Sequence, residues 1–351
     1  MKTFSLFVLS IFSLTVVQAQ SVSISSEPAQ VEYYRMPDYP FPSDYTTYSA
    51  ELEIPFTELS KSGFTESYLV DTYLNLQGYK RVNKNPDIEI TATVGEFFIW
   101  SEFRNTNKTK TKDKAGNEKI KYTYNMEIKY SLPMGVQVED KETKTWLDKY
   151  IFSASDTRSW ISTSYNTIDE LDSYWRYQRV TRLSELQKDL TKEGMNKISD
   201  LINDAFGYKV IKDKIRFPTL SKKNHPDYEK FQKNVEIMQA AFALMDADKS
   251  LDAVREKAEP ALAFYAETAN RYSVGNKDQK KLKHVCLYNQ ALAYLWLEDF
   301  DKADALAKSI QKFDTKNKDV RRLIDEIEFT KASLYNAGRA SRHQVVVGGK
   351  T

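Results

Sequence analysis

Apolar residues alternate with period two along the first half of the chain and recur every three or four positions along the second. AELEIPF (50–56), PDIEITATVGEFFIWSEF (86–103) and KIKYTYNMEIKYSLP (119–133) have strand periodicity; in the last, Ile120, Tyr122, Tyr124, Met126 and Ile128 share one face. GVQVED and TKTWLDKYIFSAS supply two further strands, and Ala115-Gly116-Asn117 marks a turn between the long ones. Between the first two strands, FTESYLVDTYLNLQGY (64–79) places Tyr68, Leu69, Tyr73 and Leu76 at helical spacing, with Gly78 as a stop. After Tyr174 the period changes: 180–207 and then 235–335 read as helix, with the polar linker SKKNHPDY (221–228) between them. The fold class expected is α+β: a mostly antiparallel sheet with helices, followed by an all-α domain.

The segmentation that follows is a leader (1–19), an extended arm (20–49), an α+β domain (50–220), a helical domain (229–336) and a flexible tail (337–351). The leader has Lys2, then an apolar stretch from Phe4 to Val17 of about 14 residues, then Val17 and Ala19 at the small-residue positions of a cleavage site. Export is expected, and no Cys follows the apolar stretch, so lipoprotein anchoring is not. In the arm, Pro37, Pro40 and Pro42 among tyrosines and Phe41 favour extended backbone packed along the body.

HVCLYNQALAYLWLEDFDKADALAKSIQKFDTKN (284–317) resembles one tetratricopeptide repeat. Ala291 and Ala303 stand at the small positions where two antiparallel helices cross, Tyr294 fills the gap, and Glu298-Asp299-Phe300-Asp301 makes the turn. Leu287, Ala307, Ile310 and Thr315 depart from the pattern, where Trp, an aromatic, Ala and Pro are usual. VEIMQAAFALMDAD (235–248), PALAFYAETANRY (260–272) and DVRRLIDEIEFTKASLYN (319–336) extend the likeness over about 235–336. It implies a groove that holds a peptide or partner protein, with exposed polar positions such as Asn289, Gln290 and Lys308 as the contact residues and Tyr294 structural. The N-terminal half is similar to small α+β domains of bacterial envelope proteins of the curli-secretion or Tol type, through a helix ending in Gly78-Tyr79 and the Asn85-Pro86-Asp87 entry to a strand.

Composition narrows the chemistry. The 351 residues are 41% hydrophobic and 28% charged, which excludes bulk disorder and a polytopic membrane protein. A net charge of +2 gives no overall pull toward nucleic acid. One Cys and three His exclude a disulfide framework and a multi-Cys zinc site. Gly349-Lys350-Thr351 matches the end of a phosphate loop, but Gln344 occupies the position of its first Gly and no helix follows. Asp246, Asp248, Ser250 and Asp252 have calcium-loop spacing, but Leu251 and Lys257 stand where Gly and the bidentate Glu belong. His284 and Cys286 are two apart and do not share a helix face. No catalytic residue, metal site, cofactor, nucleotide or nucleic-acid partner is expected.

Two surfaces compete with the groove. The run 104–121 is rich in Lys, including Lys110 and Lys112, and suits an anionic membrane or an acidic protein face. Trp146, Trp160 and Trp175 fall in an aromatic stretch that would stack on sugar rings if exposed. The leading expectation is an exported, non-enzymatic protein of the periplasm or outer membrane that binds another envelope protein or peptide; a glycan- or envelope-polymer-binding module is the alternative.

Overall fold

A computed structural model describes residues 22–345, apart from 113 and 115. The leader and the Gly349-Lys350-Thr351 sequence lie outside the described residues. The chain is α+β, rich in sheet in its first half and helical in its second. By contacts it divides into two compact units: residues 34–211 with 332–345, and residues 22–33 with 212–331.

In the first unit, β2 (Thr47–Glu53), β3 (Lys80–Arg81), β4 (Ile88–Val94), β7 (Met134–Asp140) and β8 (Thr145–Phe152) form a sheet of order β3-β2-β4-β7-β8. β2 runs parallel to β4, and α1 (Phe56–Ser62) and α2 (Glu66–Tyr73) make the crossover that a parallel pair requires. β4, β7 and β8 are antiparallel. A second, antiparallel sheet has the order β5 (Phe98–Lys112), β6 (Glu118–Ser131), β9 (Arg158–Ile161).

The continuous strand expected over 86–103 is two strands in two sheets. Val94 pairs with Met134 and Phe98 with Ser131, so β4–β5 and β6–β7 form one folded ribbon that changes sheets at residues 95–97 and 132–133. Pro133 has no N–H to give to a ladder, and its carbonyl accepts from the Gly95 amide at 2.8 Å. The Phe97 amide would be left without a strand partner. Glu58 of α1, only 5% exposed, supplies one: its Oε2 accepts from the Phe97 N–H at 3.1 Å and from Gln187 Nε2 at 2.9 Å, while Lys61 pairs with Oε1 at 2.9 Å.

Gln187 belongs to α3 (Ile168–Ala205), which packs on α1, α2, β6, β7 and β8. The helix starts earlier than the periodicity after Tyr174 suggested, because Thr167 and Glu170 form a reciprocal capping box. Its apolar stripe covers both sheets. Leu171, Trp175 and Leu186 pack on Met126 and Ile128 of β6. At Gly194, a Cβ would lie 2.2 Å from Met134 Sδ and 3.1 Å from Phe152 Cε2, so any larger residue there would have to displace the Met134 side chain from the helix–β7 contact. The buried face of the larger sheet alternates as the sequence does, with Ile88, Ile90, Ala92 and Val94 inside.

The segment 337–345, expected as flexible tail, is packed. Ala337, Arg342, His343 and Val345 are buried, and the Arg342 carbonyl accepts from the Tyr34 amide at 2.9 Å. In the expected arm, Phe41 is buried among Tyr45, Tyr79, Trp146 and Phe206.

The second unit contains α4 (Tyr228–Phe242), α5 (Asp252–Arg271), α6 (Lys277–Trp296), α7 (Phe300–Phe313) and most of α8 (Lys318–Asn336). Successive helices α4 to α7 pack pairwise. A two-stranded sheet, β1 (Ile24–Arg35) with β10 (Lys209–Leu220), contributes Ala29, Val31, Ile215 and Phe217 to the same core. β10 was not anticipated, although Lys209-Val210-Ile211 to Ile215-Arg216-Phe217 does alternate.

Replacing Glu58 by Ala removes the carboxylate that the Phe97 amide and Gln187 Nε2 donate to, leaving Gln187 its bond to the Glu58 carbonyl, and is expected to lower stability by roughly 1–2 kcal/mol. Glu58→Gln, which retains a carbonyl oxygen, is expected to cost about 1 kcal/mol or less. Chemical unfolding followed by tryptophan emission separates the two; equal midpoints for both variants would remove Glu58 from this role.

Candidate functional site

The polar positions expected to line the groove divide. Asn289 is 0% and Gln290 5% exposed, which corrects their assignment to an exposed face. The physical reason lies in β10. As one strand of a two-stranded sheet it leaves carbonyls over, and the helices satisfy them: Asn289 Nδ2 donates to the Pro218 carbonyl at 2.9 Å, and Gln232 Nε2 to the Leu220 carbonyl at 2.7 Å. Gln290 Nε2 turns back on its own helix, to the Cys286 carbonyl at 3.2 Å. Lys308 is exposed and paired with Asp304 at 2.7 Å. Ala291 and Ala303 are buried at 0% in the helical core, with Tyr294 partly buried against it.

The three tryptophans do not share a platform. Trp146, on β8, donates Nε1 to Asp140 at 2.9 Å, and its ring packs edge-on to Phe41. Trp160 and Trp175 stack at 6.1 Å beside the other sheet, and Trp175, 8% exposed, donates to Glu102 at 3.1 Å. Tyr150 and Tyr177, two tyrosines of the same aromatic stretch, are exposed, as is Trp100 of β5. Lys110 and Lys112 lie on the outer part of the β5–β6 ribbon, Lys110 pairing with Glu118 at 3.3 Å. The calcium-like carboxylates engage their own loop: Asp246 holds Lys249 at 2.9 Å and accepts from the Asp248 amide, and Asp252 accepts from the Ser250 hydroxyl.

What the helical unit does present is a cavity of about 470 Å³ at the N-terminal end of α6. Lys277, Lys280, Lys281 and His284 face it from one side of that helix, at the i, i+3, i+4, i+7 spacing of a single stripe. Asp314, Asn317 and Asp319 line it from the α7–α8 connection. The start of α6 is capped by Asn276, whose Oδ1 accepts from the Asp278 and Gln279 amides, and the start of α8 by Asn317, which accepts from Asp319 and Val320.

The acidic groups here are already engaged. Asp314 Oδ2 accepts from His284 Nδ1 at 3.2 Å and from Asn317 Nδ2 at 3.1 Å, and Asp319 stands 3.8 Å from Arg322. Lys281 is held by Asp278 and the Val22 carbonyl. Lys277 and Lys280 have no carboxylate partner among the described residues; Lys280 lies 6.0 Å from the Phe313 ring centroid. Burial lowers the His284 pKa below its ordinary value, against the opposing pull of Asp314, and nearby Lys280 adds to the lowering. At neutral pH the imidazole is therefore uncharged, Nδ1–H pointing to Asp314 and Nε2 left as an acceptor. Cys286 is buried, and burial pushes its thiol up, away from thiolate chemistry.

The basic stripe was visible as KDQKKLKH (277–284) and was overlooked because the helix was read for its apolar period alone. Among the described residues no group of His, Cys, Asp and Glu is arranged to hold a metal ion, and no helix is long and apolar enough to cross a membrane.

Because the unfolded chain protonates His284 near pH 6.5 and the folded one only lower, the fold's advantage from a neutral His284 is complete above about pH 6.5. It declines as pH falls below that and levels off beneath the folded pKa. Urea midpoints of wild type and His284→Gln, compared between pH 7.5 and pH 5, are expected to show the steeper acid loss in wild type; parallel curves would place the imidazole in water. No family model matches the chain, and no curated protein matches it in sequence.

Proposed function

We propose that this chain is an exported, non-enzymatic protein of a bacterial cell envelope, periplasmic or outer-membrane-associated without a lipid anchor, that acts as an adaptor. Its helical unit, built on a tetratricopeptide-like plan, holds an acidic segment of another envelope protein. The observation that carries this reading is the cavity at the start of α6, where, among the described residues, Lys277 and Lys280 have no carboxylate partner, Asp314 is held by His284 and Asn317, and Asp319 stands 3.8 Å from Arg322.

A partner's carboxylates complete the charge pairing that the chain leaves open. Charge-assisted hydrogen bonds of this kind are about twice as strong as neutral ones. The capped start of α6 adds a favourable field for negative charge. Neutral His284 offers an acceptor for a partner N–H without competing as a cation. The volume suits a few side chains of an extended segment rather than a folded surface.

The test is site-specific photocrosslinking in cells, with a photo-reactive residue in place of the exposed Lys316, between the cavity-lining Asp314 and Asn317, and, as control, in place of the exposed Lys257 on α5. One polypeptide is expected to be captured from position 316 and not from 257. Lys277→Glu with Lys280→Glu is expected to reduce that capture at least about tenfold, the loss of one charged hydrogen bond. Equal capture from both positions, or capture that survives the double reversal, overturns the reading.

A further inference from the structure

The outer part of the β5–β6 ribbon has no role in the helical site. Beyond Arg104, which pairs with Asp172 of α3 at 2.9 Å, and Tyr124, which bridges to Tyr165, the two strands continue to Lys112 and Glu118. At about 3.4 Å per residue, that is an extension of about 20 Å. Residues 106–112 and 118–122 are exposed, so the ribbon stands in water on both faces. A two-stranded ribbon of this kind is marginal on its own.

Its register sorts the side chains. Lys108, Lys110 and Lys112 stand opposite Tyr122, Ile120 and Glu118 on one face. Thr109 and Thr111 stand opposite Lys121 and Lys119 on the other. Lys114 lies in the turn. Against these cations the ribbon carries only Asp113 and Glu118, so its positive excess is larger than the +2 of the whole chain. Ile120 and Tyr122, 48% and 47% exposed, are apolar bodies set among the lysines of the first face.

The geometry points to a membrane-docking element: the ribbon tip enters the headgroup layer of a bilayer containing anionic phospholipid. Cations on both faces and in the turn are all used only when negative charge surrounds the tip. A peptide added along the free edge of β5, or an acidic protein lying on one face, would leave the other face's lysines idle. A second copy is disfavoured because the same lysines would meet. Ile120 and Tyr122 would bury their apolar bodies at the headgroup boundary while the lysine stems reach back to phosphate. Each lysine near such a surface contributes about a fivefold gain in partitioning, and the gain falls with salt.

The experiment is flotation of the full chain with vesicles of phosphatidylcholine alone or with one third phosphatidylglycerol, at low and high salt. Binding to the anionic vesicles, weakened by salt, is expected. Lys108→Gln with Lys110→Gln and Lys112→Gln should reduce it about a hundredfold, and the corresponding Arg substitutions should restore it. Ile120→Ser with Tyr122→Ser should reduce it several-fold at unchanged charge. Lys308→Gln on the helical unit should leave it as in wild type. Circular dichroism checks that each variant keeps its strands, and the Arg set answers for any that does not. Equal flotation with both vesicle types, or Gln variants that bind like wild type, overturns the proposal. So does binding confined to lipopolysaccharide or to an acidic polypeptide.

Discussion

A single buried carboxylate holds together the part of this molecule where the chain does its most demanding turn. The ribbon made by β4–β5 and β6–β7 serves two sheets, and where it passes from one to the other its ladder must break. Pro133 makes the break unavoidable on one strand, and the Phe97 amide is the group stranded on the other. Glu58 meets it from α1, and the same oxygen accepts from Gln187 of α3. Helix, crossover and ribbon thus converge on one side chain. Burying a carboxylate is costly unless it is paired and fully hydrogen-bonded, and the Lys61 contact together with the two amide donors meets that condition. α3 then lies over both sheets, close enough at Gly194 that a Cβ there would push against Met134 Sδ.

The helical unit solves the opposite problem with the same device. A two-stranded sheet inside a helical core has strand carbonyls with no strand beside them. Asn289 and Gln232 donate to those carbonyls, at Pro218 and Leu220. The unit therefore spends its polar helix positions on its own strands. The stripe of lysines at the start of α6 lies on the side of the helix that lines the cavity rather than the core.

Much of the fold was legible, for a reason particular elements make plain. Ile88 to Val94 alternate because one face of the strand is buried, as do Tyr124, Met126 and Ile128 of β6, and a period-two pattern there is the direct imprint of that burial. Helices α4 to α8 show their period for the same reason. The break at residues 95–97 was not legible, because its cause is a carboxylate distant in sequence and a proline on the facing strand. Nor was the placement of 337–345, whose contacts are with residues far away along the chain, such as Tyr34. β10 was hidden by three charged positions near its middle, Lys212, Asp213 and Lys214, which interrupt the alternation.

The candidate site was the least legible part, and Asn289 shows why. On a helix, a polar residue between apolar ones reads as surface, since exposure is the cheapest way to keep an amide hydrated. That inference fails wherever the fold itself has unpaired backbone to satisfy, because a buried amide donating to a buried carbonyl removes two unmet groups at once. Lysine is the more dependable marker. Its ammonium is rarely buried without a partner, so a run of lysines at i, i+3 and i+4 stays at the surface whatever the core requires. Lys277 and Lys280, which have no carboxylate partner among the described residues, lie on the same helix as Asn289, nearer its start. Asn289, in the middle of α6, is buried on a strand carbonyl, whereas the lysines at the start of the same helix face solvent or the cavity.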